Sequence, residues 1–308
     1  MLKLVFHRWQ RLLTLALFGS LLSGPIQARQ VTDALGQVHQ VPDHPSRVVT
    51  LSEIDLDIAL ALGITPIGAV NGRGQSALPR YLAAAGGQKV PSIGALDNPN
   101  LELVLALEPD LILTGPLKPE QLALLNQIAP TLVTANWGAP WQETLHRVAG
   151  ILNRQAEATA FMARYEARLA QARQQLASHQ GESLSIVRWN PKGPAYMHRD
   201  AFASRVIQQL GLVRPPQQQE PGHTHSPSLS LESLARLDGD WLVIGTLSTS
   251  GEAVDAMEQA AQSPAFRQMG AIQRGHYGRV DGSLWTSVGG PLAALQVIED
   301  VEQLLSPR

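Results

Sequence analysis

Between Gly150 and Gly181 the chain runs from Ile151 to Gln180 without a glycine or a proline. Inside this run Ala158, Phe161, Tyr165, Leu169, Ala172 and Leu176 recur at spacings of three and four, one apolar stripe along a helix. Most other positions are Arg, Gln, Glu or Ala, which favour or tolerate helix. At about 1.5 Å per residue the helix predicted over 151–180 reaches roughly 40 Å, the width of a small domain. Arg164, Arg168, Arg173, Gln174 and Gln175 take its other sides, so it is expected on a surface. Short β-rich runs alternate with helical ones on each side of it. The expectation is an α/β protein of two Rossmann-like lobes with mainly parallel sheets, joined by one long α-helix. The rival is one large α/β domain with an ordinary long helix packed within it. The divisions are a leader at 1–28, a first lobe at 29–150, the helix at 151–180 and a second lobe at 181–308.

Lys3, Arg8 and Arg11 precede an apolar run, Leu12 to Leu22, too short to span a bilayer. Pro25-Ile26-Gln27-Ala28 then ends in small-residue fashion, the pattern of a secretory signal peptide cut near Ala28. A retained N-terminal anchor is the rival. Removing the leader leaves 21 Lys+Arg against 26 Asp+Glu, a balance of −5, which argues against nucleic acid as a partner. The chain has no cysteine. It therefore relies on its core rather than on disulfides and offers no thiol for lipid attachment. A free protein in an oxidising periplasm fits best.

The first lobe reads as a hairpin turn at Asp33 to Gly36, a strand at Arg47 to Leu51 and a helix at Glu53 to Leu62. A strand at Ile67 to Val70 leads into the loop Asn71-Gly72-Arg73-Gly74, which lacks the Gly-Lys-Ser/Thr ending of a phosphate loop. The second lobe repeats the alternation from Leu184 onward, with a Pro/Gln-rich loop at Arg214 to Ser228. Two segments match internally. Glu102 stands eight residues before Asp110 in NLELVLALEPDLILTG, and Glu232 eight before Asp240 in SLESLARLDGDWLVIGT. An ancient duplication follows, each lobe presenting one glutamate at a helix start.

No Gly-x-Ser-x-Gly elbow, His-Glu-x-x-His pair or phosphate loop points to an enzyme. His223 and His225 form the only close histidine pair, a weak metal candidate with no third ligand nearby in sequence. Arginine and tryptophan at strand ends speak more clearly. Arg188 and Trp189 end a strand, where side chains overhang the ligand side of an α/β sheet. Trp285 and Trp137 lie in loops. A guanidinium beside indole faces suits an anionic or polar ligand with flat apolar parts. A structural salt bridge for Arg188 and lobe packing for each Trp are the alternatives. A helix-start glutamate is stabilised by the dipole, and a matched pair offers two fixed negative points to a partner.

In order and spacing, SRVVTLSEIDLDIALALGITPIGAV, NLELVLALEPDLILTG, VRWNPKGPAYMHRDAFASRVIQQLGLVRP, SLSLESLARLDGDWLVIGT and LWTSVGGPLAALQVIEDVEQLL resemble one family. It comprises the periplasmic substrate-binding proteins of ABC importers for iron–siderophore complexes and cobalamin. The resemblance covers essentially all of the chain after the leader. It implies a cleft between the lobes that opens modestly, and Glu102 and Glu232 meeting arginines on an inner-membrane permease. It implies that Arg188 grips a ferric siderophore and that Trp285 lines the same cleft; the strand-end reading adds Trp189 as a further aromatic face. No intrinsic cofactor and no iron ligation by protein are implied, and a monomer is expected. Hydroxamate binders carry an Arg just before the Pro-Asn-Leu-Glu segment, where this chain has Leu96-Asp97-Asn98. Arg73, Arg80 and Tyr81 are the candidates to replace that charge. A haem or corrinoid ligand is the alternative, with Tyr81, Tyr196 and His198 as axial candidates.

Overall fold

Asp33 makes the first turn: its Oδ1 accepts the Leu35 and Gln37 N–H groups, and Gly36 at φ 77° completes the reversal. The turn joins β1 (Ala28–Thr32) to β2 (Val38–Pro42), which pair antiparallel. This is a computed structural model, and the residues it describes are 28–306. The expected leader lies outside the described residues, apart from Ala28.

The first lobe continues through β3 (Val48–Thr50), α1 (Glu53–Ala61), β4 (Gly68–Ala69) and the short pair β5 (Gly94–Ala95) and β6 (Asn98–Pro99). Then come α2 (Leu101–Ala106), β7 (Leu111–Thr114), α3 (Pro119–Leu125), β8 (Thr131–Val133) and α4 (Trp141–Leu152). The sheet runs β4-β3-β7-β8, all parallel. Every residue of β3, β7 and β8 is buried, as parallel strands covered on both faces require.

The long helix is shorter than its sequence pattern. Ile151 and Leu152 finish α4, Asn153 turns the chain in the left-handed region at φ 57°, and α5 spans Gln155–Gln175. Asn is one of the few non-glycine residues that adopt this conformation, so no Gly or Pro marks the break. At 1.5 Å per residue α5 is about 30 Å long. Its stripe is buried at Ala158, Phe161, Tyr165 and Ala172. The Trp141 ring of α4 meets Phe161 and Tyr165 edge-on, at 6.4 and 4.9 Å between centroids.

The second lobe holds β9 (Leu184–Asn190), β10 (Gly193–Tyr196), α6 (Phe202–Gln209), β11 (Trp241–Thr246) and α7 (Glu252–Ala261). It closes with α8 (Pro264–Arg267), α9 (Gly270–Gln273), β12 (Tyr277–Asp281), α10 (Gly282–Trp285) and α11 (Pro291–Leu305). Its sheet runs β10-β9-β11-β12, the order of the first lobe in chain sequence, with β10 antiparallel at the edge. The segment that Glu232 was expected to open as a helix, Leu231–Leu237, is a 3-10 helix. The matched aspartates do matching work. Asp110 accepts the Ser46 N–H and hydroxyl ahead of β3, and Asp240 accepts the Ser183 N–H and hydroxyl ahead of β9.

Two elements join the lobes. Arg168 of α5 pairs with Glu302 of α11, and Tyr165 donates to Gln209 of α6. α11 itself packs on α1 of the first lobe as well as on α5 and α6. One apolar cluster therefore runs from Ile54 and Ile58 through Phe161 to Trp285 and Val297.

Candidate functional site: the cleft between the lobes

A cavity of about 820 Å³ lies between the lobes. On the first-lobe side it is built from the segments that follow the parallel strands: Leu51 to Ile54 after β3, Arg73 after β4, Thr114 to Leu117 after β7 and Ala135 to Gly138 after β8. Ligands of open α/β sheets bind outside these carboxyl ends. The other wall comes from Asp200 to Gln209 around α6, from His223, and from Ser287 to Gly289. Arg173, near the end of α5, completes it.

Glu53 ties the two walls at the base. Its side chain accepts the Arg73 N–H at 2.8 Å and the Ser287 hydroxyl at 2.9 Å. Burial raises its carboxyl above the ordinary range, against the pull of those bonds. Beneath it Asp55 is fully buried, accepting from the Ser52 and Thr134 hydroxyls. Burial pushes Asp55 up to about 6. Three polar atoms of cavity residues are buried without a hydrogen-bond partner: Arg73 Nε, Thr114 Oγ1 and Thr144 Oγ1.

At the mouth the lobes touch. Arg205 of α6 donates to the Gly138 carbonyl at 3.2 Å, and its other terminal nitrogen lies 3.3 Å from His223 Nδ1. Gly138 has φ 76°, and a Cβ there would stand 2.2 Å from the His223 ring. Only glycine admits both the backbone conformation and this approach.

Of the residues singled out in the sequence, Arg73, Trp137 and His223 line the cavity. Trp137 is 71% exposed. Arg188 lies behind the wall, buried, donating to the hydroxyl and carbonyl oxygens of Thr286 and so fixing the segment that leads to Ser287. Burial, helped by nearby Arg73, lowers its guanidinium to about 10. Trp189 and Trp285 face away from the cleft. Trp189 packs with Phe266 in the second-lobe core, and Trp285 is buried with its Nε1 donating to Asp300 at 2.7 Å. Arg80 pairs with Asp281 across the lobes at 2.6 Å, and Tyr81 donates to Asp57 at 3.1 Å. Tyr196 is buried, donating to Glu220 and accepting from Arg236, and His198 lies 3.7 Å from Glu220. None of the three axial candidates lines the cleft.

His225 is apart from His223, its Nδ1 against the Ser226 carbonyl. Among the described residues no group of three or more His, Cys, Asp or Glu is arranged to hold a metal. Glu102 and Glu232 are exposed, each in the first turn of its helix. Arg173, read in the sequence only as part of a surface side of the long helix, lines the cavity, as do Arg205, Thr114, Thr144 and Phe202, which the sequence did not single out.

A family model described as "Periplasmic binding protein" matches residues 48–282. A probable siderophore-binding lipoprotein of Bacillus subtilis is 28% identical, over 90% of this chain and 87% of its own length. An achromobactin-binding periplasmic protein of Dickeya dadantii is 30% identical, over 84% of this chain and 86% of its own. The crystal structure of Staphylococcus aureus SirA complexed with staphyloferrin B superposes with a TM-score of 0.77 at 22% identity, covering 90% of this chain and 98% of that one. With two α/β lobes about a cleft and a family match over most of its length, the chain belongs to the periplasmic binding protein family.

Proposed function

We propose that the protein is an exported receptor that captures a ferric siderophore in the inter-lobe cleft and delivers it to an ABC permease. The observation that carries this reading is the cavity of about 820 Å³ walled by both lobes, with Arg73, Arg173 and Arg205 among its lining residues. A closed catalyst would need a nucleophile or cofactor site, whereas these walls offer donors to an oxygen-rich guest. The names of the relatives support the ligand class. Iron enters as cargo held by its chelator.

Ligand contacts are assigned to Arg73 and Trp137, with Arg188 positioning the Thr286–Ser287 segment. Glu102 and Glu232 dock the permease, one from each lobe. Around Glu102 the leucines Leu101, Leu103 and Leu105 are exposed, an apolar collar suited to a protein partner. Among the described residues no helix is long and apolar enough to cross a membrane. The Lys/Arg-led apolar start of the chain supports export to the periplasm.

Tryptophan fluorescence tests the reading, because Trp137 and Trp141 both line the cavity. Titration with a panel of ferric siderophores is expected to quench emission with at least one member. Silence across the panel, with nothing iron-bearing in native mass spectra of periplasmic protein, would remove it.

A further inference from the structure

The charge of the guest follows from the cavity walls. The charged side chains lining them are Arg73, Arg173 and Arg205 against Glu53 and Asp200. Both carboxylates are already engaged. Glu53 accepts from the Arg73 N–H and Ser287, and Asp200 accepts from the Gly222 N–H and the Arg199 guanidinium. The guanidiniums have most of their capacity in hand, since each carries five N–H donors. Among the described residues the Arg173 side chain donates to the Gln209 carbonyl alone, and Arg205 has hydrogen-bond contacts only with Gly138 and His223, with the Asp200 charge nearby. The Arg73 side chain donates to nothing, and its Nε is buried.

We propose that the guest is a ferric chelate of net negative charge, held by Arg73, Arg173 and Arg205 through carboxylate or catecholate oxygens, and that neutral ferric trihydroxamates are discriminated against. The proposal deepens the receptor reading and rests on it. Three hydroxamates neutralise a ferric ion, whereas three catecholates leave a trianion and α-hydroxycarboxylates leave free anionic oxygens. The walls carry three guanidiniums against two carboxylates, so a neutral guest would cover an excess of positive charge without bringing a counter-charge, and desolvated charge without a partner is unfavourable. An anionic guest offers charge-assisted and bidentate acceptors to the same groups. Discrimination thus comes from what the wrong ligand leaves unpaired.

The test is fluorescence titration of the full chain with three probes: a ferric tris-catecholate, ferric citrate and a neutral ferric trihydroxamate. At least one anionic probe is expected to bind about tenfold or more tighter than the neutral one, and to weaken as salt rises. Which anion wins separates catecholate from carboxylate. Arg205→Gln and Arg173→Gln are each expected to weaken the anionic probe about tenfold, and Arg205→Lys to recover part of the loss. Thermal melts check that each variant is folded. A neutral probe bound as tightly as the better anion, or folded Gln variants that both bind like wild type, would overturn the proposal and leave the receptor reading standing. Binding of none of the three would overturn both.

Discussion

The Asp57 carboxylate, on α1 of the first lobe, accepts the Leu292 N–H at 2.8 Å from the start of α11 in the second. The Ala293 N–H and the Tyr81 hydroxyl reach the same side chain at 3.0 and 3.1 Å. The last helix of the chain is therefore capped from across the lobe boundary, where its first N–H groups have no partner of their own. Asp57→Ala is expected to cost about 2–4 kcal/mol in denaturant unfolding, because several buried donors lose their acceptor together. A loss under about 0.5 kcal/mol would show that water replaces the carboxylate.

Asp55 and Asp57 also set a pH dependence. Burial pushes both up to about 6 from 3.8, so the folded state holds their protons more tightly than the unfolded chain does. Their contribution to stability is fully present below 3.8 and is lost as pH rises to about 6. Wild type is expected to be less stable at pH 7 than at pH 5 by about 1.3 kcal/mol per group, out of about 3 kcal/mol over the full titration. Asp55→Asn flattens that slope if the assignment is right. Parallel melting curves for variant and wild type across this range would refute it.

Gly138 governs the mouth. Gly138→Ala places a methyl against the His223 ring and asks alanine to hold a left-handed backbone, a strain of about 1–2 kcal/mol. The expected result is faster ligand release with little change in the capture rate, read by stopped-flow quenching of tryptophan emission. Unaltered release would mean that the Arg205–Gly138 contact does not hold the cleft shut.

Docking separates from binding. Glu102→Lys with Glu232→Lys is expected to abolish permease-dependent uptake of iron while ligand affinity stays as in wild type, since both side chains are exposed and absent from the cavity. Lost affinity would assign them to the cleft or the fold instead.

The helix stripe was legible because period and burial coincide: Ala158, Phe161, Tyr165 and Ala172 are its buried face. Its true start was hidden, because Asn153 breaks the helix inside an apolar register that Ile151 and Leu152 continue. The tryptophans misled for a different reason. β9 is buried on both faces from Leu184 to Trp189, so no alternation in sequence says which side Trp189 takes. Arg205 escaped notice because an arginine on an amphipathic helix reads as solvated surface, and only the facing loop of Gly138 makes it part of a site. The two-lobe plan needed only the order of elements. The chemistry of the cleft needed side-chain direction, which sequence spacing leaves free in loops and in fully buried strands.

The apolar cluster that passes from Ile54 through Phe161 to Val297 ignores the border between the sheets. Neither half owns a complete interior, so a chain severed near Asn153 would give two fragments with raw hydrophobic faces rather than two small working proteins. Heating is expected to melt the pair together, in one calorimetric peak. The receptor is thus expected to be, thermodynamically, indivisible.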